Sequence, residues 1–458
     1  MIEEAYCVPH PPIIVHEVGK GEEKKAARTI ESYEKVADRI AEIKPDLIIV
    51  SSPHAILYRD WFNISSGKKA YGDFGQFNAG SVSFEVKYDT EFIDTLKKVM
   101  PYGFPCGTEY DQEKYLDHGT IVPLYFVNQK YRDYELVRIG LSGYPLSMHY
   151  ELGMYINETI KQLNRKAVWI ASGDLSHCNK GSHYGYHPEG PEYDRRIMEN
   201  MRTGSFNELL EYDSAFLNRA MECGHRSFTM MAGAMDGREV KTEVLSYEAP
   251  WGIGYGVTIV TPGKKDESRM FFKRQEEKNM DAYNERYEKA DAFVKLAYDQ
   301  VFRWTREHRM VAMDNIPEEM KKRAGVFVSI HENGQLRGCI GTIRPCCGNI
   351  ADEIIHNAVA ACSRDPRFSP VREEELDQLE ITVDVLGDAE RIQDKRQLDV
   401  HKYGVICSTK DGRRGLLLPD IDGVDSVDEQ VRIACEKGNI DEESDDVILE
   451  RFEVVRHY

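Results

Sequence analysis

Five short apolar runs divide the first 260 residues: AYCV (5–8), LIIV (47–50), ELVRIGL (135–141), AVWIAS (167–172) and GYGVTIV (254–260). Runs of this length bounded by polar residues read as buried strands, not as helices. Between them lie segments of helical period, in which Ala27, Ile30, Val36, Ile40 and Ile43 share one stripe, and a further helix is expected over 150–163. Alternation of buried strand and amphipathic helix predicts an α/β unit, with a mostly parallel or mixed central sheet covered by helices on both faces.

The pattern breaks at Thr261, where TPGKKDESR combines turn residues with mixed charge and reads as a linker. Beyond it Phe293, Leu296, Ala297, Val301 and Trp304 form a helical stripe. Strand-like VFVSI (326–330), a helix over 351–362, LEITVDVL (379–386) and GLLLP (415–419) follow. A chain of 458 residues exceeds one ordinary core. The expected division is an α/β domain over 1–262, a charged linker leading into a helix over 263–284, and an α+β domain over 285–458.

With 41% hydrophobic and 30% charged residues the composition is that of a soluble globular protein. No apolar stretch is long enough to span a bilayer, so no membrane partner is expected. The opening MIEEAYCVPHPP lacks the basic and apolar regions of an export signal. Ten cysteines without a regular framework fit a reducing cytoplasm. A formal charge of −19 argues against nucleic acid, because the basic clusters Lys24-Lys25, Lys264-Lys265 and Lys321-Lys322-Arg323 are short and flanked by acids.

Nine of the fourteen histidines precede Thr261. His10 closes AYCVPH, His54 closes LIIVSSPH and His177 closes VWIASGDLSH, so each follows an apolar run. Ligands of open α/β sheets bind beyond the carboxyl ends of the strands, where these residues would converge. Glu248, in VLSYEAPWGIGYG, precedes the last strand. Two imidazoles and a carboxylate leave open positions of the kind non-haem Fe(II) uses, and a third imidazole would move protons. The alternative is a set of hydrogen-bonded loop residues.

Ser172 and Asp174 are expected to cap a following turn and orient His177. His183 and His187 lie in the loop NKGSHYGYHPEGPEYD, whose Tyr184, Tyr186 and Tyr193 would edge an aromatic pocket or pack the loop on itself. His16, His149 and His225 have no comparable context. Cys7, Cys106, Cys178 and Cys223 lack CxxC spacing, so zinc has no support beyond Cys178 standing beside His177.

The blocks PHPPIIVHEVG, SPH, LDHGTIVPLYF and ASGDLSH, in this order, resemble the LigB-type class III extradiol dioxygenases, including their Memo-like branch. The resemblance implies an Fe(II) centre with His10, His54 and Glu248 as ligands, Glu243 being a nearby competitor for the last place. It implies His177 as the acid/base residue and His118 on the substrate side, acting with O2 on a catechol-like or related phenolic substrate to open the ring. Memo-like relatives depart from the dioxygenase ligand set at the third position.

In the second half, LRGCIGTIRPCCGN (336–349) and CSRDPRFSPV (362–371) resemble the AMMECR family, which implies an α+β fold and no agreed reaction. Arg337, Gly338 and Cys339 are expected on a turn after VFVSI. There Gly338 and Gly341 would admit a ligand to the backbone, Arg337 would fix an anion, and Cys339 would be a nucleophile or a buried structural thiol. Asp365 and Arg367 would bind or bracket the turn at Pro366. Cys346 and Cys347 are adjacent and cannot easily share one tetrahedral metal. The fusion itself resembles the AmmeMemoRadiSam architecture. That implies an alternative role as a metal-binding accessory protein with a radical-SAM partner, since this chain has no CxxxCxxC of its own. A homodimer would suit the superfamily.

Overall fold

A computed structural model describes all residues except 109–113, 312, 314, 333, 422 and 443–445. The chain divides into two compact units, Met1–Gln275 and Glu276–Tyr458.

The strands of the first unit are β1 (Ile2–Val8), β2 (Leu47–Ser52), β3 (Phe62–Asn63), β4 (Lys69–Phe74), β5 (Ala79–Tyr88), β6 (Cys106–Gly107), β7 (Glu135–Gly140), β8 (Ala167–Ser172), β9 (Arg238–Glu248) and β10 (Tyr255–Lys265). Eight form one sheet in the order β4-β5-β7-β2-β8-β1-β10-β9, while β3 and β6 make a separate pair. The centre is parallel (β5 with β7, β7 with β2, β2 with β8, β8 with β1) and the edges are antiparallel. Alternate residues of one strand serve opposite faces, as the period of two requires. Trp169 joins the core built with Ile156 and Met230, whereas Val168 and Ile170 join the one built with Val36, Ile40 and Ile121. This two-sided burial is why the central strands read as unbroken apolar runs.

The residues expected as a charged linker leading into a helix carry regular secondary structure from the start. Strand β10 continues through Pro262 to Lys265, a 3-10 turn spans Glu267–Arg269, and a helix occupies Phe271–Lys289. Proline is tolerated because β1 stops pairing with β10 at Val260, so Pro262 faces a neighbour only on the β9 side, opposite Val240.

Parallel alignment brings the carboxyl ends of β1, β2, β7 and β8 to one rim. The start of β10 and the end of β9 lie at the same rim, since Tyr255 pairs with Glu248. Among the described residues, no helix is long and apolar enough to cross a membrane.

The second unit holds β11 (Val326–Glu332), β12 (Gln335–Gly341), β13 (Leu379–Leu386), β14 (Glu390–Ile392), β15 (Tyr403–Ser408), β16 (Arg414–Leu417) and β17 (Ile448–His457). Its sheet runs β12-β11-β13-β17-β15-β16 with β14 on β17, and its strand pairs are antiparallel. Helices Ala292–Glu307 and Ile350–Ser363 cover Val326, Val328, Ile330, Ile381 and Val383. A second small core joins Val405, Cys407 and Leu417 to Val431 and Ala434 of helix Val427–Lys437. Strands and helices segregated in this way make the unit α+β. Arg337, Gly338 and Cys339 stand inside edge strand β12, not on the expected turn. The chain reverses earlier, at Gly334 with φ +74°.

Candidate metal centre

Three histidines meet at the rim. His10 follows β1 by one proline, His54 follows β2 by one proline, and His118 is the first residue of helix His118–Asn128. The Nε2 atoms of His10 and His54 are 3.0 Å apart. The His118 ring centroid lies 3.9 Å from that of His54 and 5.4 Å from that of His10. Burial, reinforced by the neighbouring imidazoles, holds His10 well below its ordinary pKa, and the same causes lower His54 to about 4. Burial also lowers His118. At neutral pH these rings are uncharged, and neutral imidazole is the form that ligates metal.

A cysteine completes the cluster. The ligating atoms of His10, His54 and Cys223 all lie within 4.8 Å of one another, and Cys223 Sγ is 3.7 Å from His10 Nε2. Glycines facing each other make this possible. A Cβ on Gly173 would fall 2.1 Å from the Gly224 Cα, so any side chain there would push the 222–225 segment away from the end of β8. The crossing is pinned by the Gly224 N–H donating to the Asp174 carbonyl at 3.1 Å. Burial and the nearby Asp174 and Glu222 carboxylates raise the Cys223 thiol pKa well above its usual value, so it binds as thiolate only when a cation displaces its proton. Sequence reading gave Cys223 no role. ECGH carries no ligand spacing, and the only local signal is the Gly224 that follows.

His177 stands five residues beyond β8, one-fifth exposed, beside the cluster. Its Nδ1–H donates to the Met221 carbonyl at 2.5 Å, which leaves Nε2 unprotonated in the neutral ring and 3.9 Å from Asp174 Oδ2. Tyr184 presents its ring edge-on to His177 at 5.9 Å and is half exposed, while Tyr186 is equally exposed farther along the loop. The His183 ring lies tilted against that of Tyr184, 3.8 Å between centroids, and both His183 and His187 face solvent. Tyr193 is not on this rim: it is fully buried, with its hydroxyl 3.3 Å from His225 Nδ1. His149 and His225 are core residues, and burial lowers their pKa values to about 3 and 4.

Glu248 lies at the expected end of the sheet but outside the cluster. Its Oε1 accepts from the N–H and the hydroxyl of Thr29, both at 2.7 Å. Thr29 sits in the first turn of helix Ala27–Ile43, where backbone N–H groups lack intrahelical partners and the helix dipole favours an anion. Glu243 lies five residues further from the rim, paired with Ile259. Ser172 and Asp174 cap no helix and hold His10 instead. Ser172 Oγ is 2.9 Å from His10 Nδ1, and Asp174 Oδ1 accepts the His10 N–H at 2.7 Å. Burial raises the Asp174 carboxyl to about 6 against the opposing pull of His177.

In the second unit the expected site residues are neighbours, but most of their polar atoms are already engaged. Arg337 grips both Glu375 oxygens at 3.0 Å and donates to the Ser369 and Pro370 carbonyls. Gly338 admits a helix, not a ligand: a Cβ there would meet the Ala361 carbonyl at 2.3 Å. The Cys339 N–H donates to Asp365, its carbonyl accepts from Arg367, and its Sγ accepts from Ser329 Oγ at 3.2 Å. Bidentate pairing with Arg367 lowers the Asp365 carboxyl to about 2.

Known proteins agree with this division. Residues 4–258 match the family described as the catalytic LigB subunit of aromatic ring-opening dioxygenase, and residues 294–457 match AMMECR1. Protein CA_C1420 of Clostridium acetobutylicum is 38% identical over 465 residues, covering 99% of this chain and 98% of its own length. A Thermotoga maritima protein is 49% identical over 168 residues, 36% of this chain and 96% of its own. The 2-aminophenol 1,6-dioxygenase beta subunit of a Pseudomonas species is 26% identical over 287 residues, 56% of this chain and 92% of its own. With more than half its length matched by one family and most of the remainder by the other, the chain belongs to the LigB family, as a LigB domain fused to an AMMECR1 domain.

Proposed function

We propose that the first unit is an Fe(II)-dependent ring-opening dioxygenase acting on an ortho-substituted phenol, a catechol or an aminophenol, in the reducing cytoplasm. The observation that carries this reading is the convergence of His10 Nε2, His54 Nε2 and Cys223 Sγ at the sheet rim, within a LigB-family domain. Two neutral imidazoles and a thiol fit a borderline-soft divalent ion. Such an ion, when bound, would bring substrate and O2 together and polarise the phenolic oxygen. Cys223 takes the place expected for Glu248.

The remaining work falls to side chains of this chain. His177, with Nδ1–H committed to the Met221 carbonyl, offers its Nε2 lone pair to the substrate hydroxyl proton. Asp174, 3.9 Å away, stabilises the imidazolium that forms and returns it to the same orientation. His118 bounds the side of the pocket nearest His54, and Tyr184 bounds the side nearest His177. Protein loaded anaerobically with Fe(II) is expected to consume O2 stoichiometrically with catechol or 2-aminophenol and to form the ring-opened product. His177→Ala would keep its iron and lose turnover. Iron-replete protein that leaves a broad panel of ortho-diols and aminophenols untouched overturns the reading.

The fusion of a LigB domain to an AMMECR1 domain supports a second reading, in which the centre serves a multi-protein modification system with a radical-SAM partner. Stable capture of such a protein by an iron-replete but inactive chain would support it.

A further inference from the structure

Two serines occupy equivalent places at the ends of adjacent parallel strands. Ser52 ends β2, Ser172 ends β8, and both are fully buried. Each touches the first turn of helix His118–Asn128 and one histidine of the cluster. Ser52 Oγ lies 2.6 Å from Asp117 Oδ1 and 3.2 Å from the His54 nitrogen. Ser172 Oγ lies 2.5 Å from the Gly119 carbonyl and 2.9 Å from His10 Nδ1. A hydroxyl has one proton, and a carboxylate or carbonyl oxygen only accepts. Both serine protons are therefore committed to the helix turn, and both oxygens receive from the histidine. His10 must then carry its proton on Nδ1, which leaves Nε2 as a bare lone pair facing His54 Nε2 and Cys223 Sγ. The main-chain N–H of His54 is fixed in the same way.

The helix turn that accepts from both serines is itself anchored. Asp117 caps it by accepting from Thr120, and Arg138, fully buried in β7, donates to Asp117 Oδ2 at 3.1 Å. Gly119 has no room for a side chain, since a Cβ would fall 2.3 Å from Ser52 Oγ.

We propose that Ser172 and Ser52 are positioning residues. Through this one helix turn they select the His10 tautomer and fix the reach of His54, so that the cluster is oriented for a cation before one arrives. The inference rests on the metal reading for its purpose but not for its test. Long-range proton–nitrogen NMR of the full-length, metal-free chain, labelled with nitrogen-15 at histidine, reports each tautomer directly. Wild-type His10 is expected as the Nδ1–H form, and Ser172→Ala as a mixture of both forms. Cobalt(II) affinity, read by chelator competition and visible bands, is expected to fall by roughly 10- to 100-fold in Ser172→Ala and by about 10-fold in Ser52→Ala. Ser172→Thr, which keeps the hydroxyl, is expected to retain the wild-type tautomer. Wild-type His10 found as the Nε2–H form overturns the proposal, as does Ser172→Ala with unchanged tautomer and cobalt affinity. Wild-type protein that binds no cobalt, iron or zinc would overturn the metal reading alone, because the tautomer measurement still decides the role of the serines.

Discussion

The rim of the first unit and the β12 region of the second carry similar chemistry: a cysteine, buried carboxylates and conspicuous glycines. They differ in what remains unspent. At the rim His10 spends its Nδ1 on Ser172 and keeps Nε2 3.0 Å from His54 Nε2, while Cys223 Sγ lies 3.7 Å from both His10 Nε2 and the Asp174 carbonyl. Around β12 the carboxylates of Asp365 and Glu375 are consumed by Arg367 and Arg337, and the backbone of Cys339 is tied on both sides. The glycines differ likewise. Gly173 and Gly224 let two segments cross so that a thiol reaches the histidines, while Gly338 lets a strand lie on a helix. Convergence of reactive residues is therefore not enough to make a site; the converging side chains must not be held by charged partners of their own, as Asp365 and Glu375 are.

Four measurements would break or sharpen this contrast. The largest effect is expected from the ligands. His10→Ala, His54→Ala and Cys223→Ala should each weaken Fe(II) or cobalt(II) binding by more than about 100-fold, beyond the loss typical of residues that only support a ligand. Glu248→Gln should keep the metal, and iron lost from Glu248→Gln but kept by Cys223→Ala would return the carboxylate to the ligand set. Next, Arg337→Met strands a nearly buried Glu375 and should cost about 3 kcal/mol in chemical denaturation without altering metal content. A metal-binding defect in that variant would break the separation between the two regions. Gly173→Ala should cost about 2 kcal/mol through the overlap with Gly224 and should also lower metal affinity, since it displaces Cys223.

The smallest effect concerns Glu332. Burial, aided by Glu375, raises its carboxyl from the ordinary value of 4.5 to about 7, and one of its oxygens, Oε1, has no hydrogen-bond partner among the described residues. The folded chain thus holds a proton that the unfolded chain releases. Its stabilising contribution is complete below pH 4.5 and is lost as pH rises through about 7. Glu332→Gln should flatten this part of the stability profile, and an unchanged slope would show that another group titrates there.

Much of this arrangement was legible before any coordinates. Strands β1, β2, β7 and β8 announce themselves because burial on both faces makes each of them predominantly apolar. His10 and His54 follow from the rule that parallel strands deliver their carboxyl ends to one crevice. What escaped was non-local. Cys223 enters through a glycine–glycine crossing between segments some fifty residues apart, and no spacing in the sequence encodes it. Glu248 was read at the correct end of the sheet, but three β-strands separate its strand from that of His54, and the first turn of a helix lies closer to it. Ser172 and Asp174 looked like caps because such residues usually are. Here no helix follows, and their acceptors turn back to β1. The strand at 335–341 was missed because glycines suggested a turn, whereas they answer to a helix and to the Phe327 ring.

The placement of β1 has a kinetic consequence. It is the first strand of the chain, yet its two neighbours are β8 and β10, so its register with Ala167 and with Val260 is set only after most of the unit has been synthesised. Long-range pairing of this kind slows folding and leaves an apolar strand waiting with both edges open. Because His10 hangs from that strand and Cys223 arrives after β8, the clustered atoms cannot assemble before the sheet of the first unit has formed. On the metal reading proposed above, uptake of the ion would report that this sheet has closed.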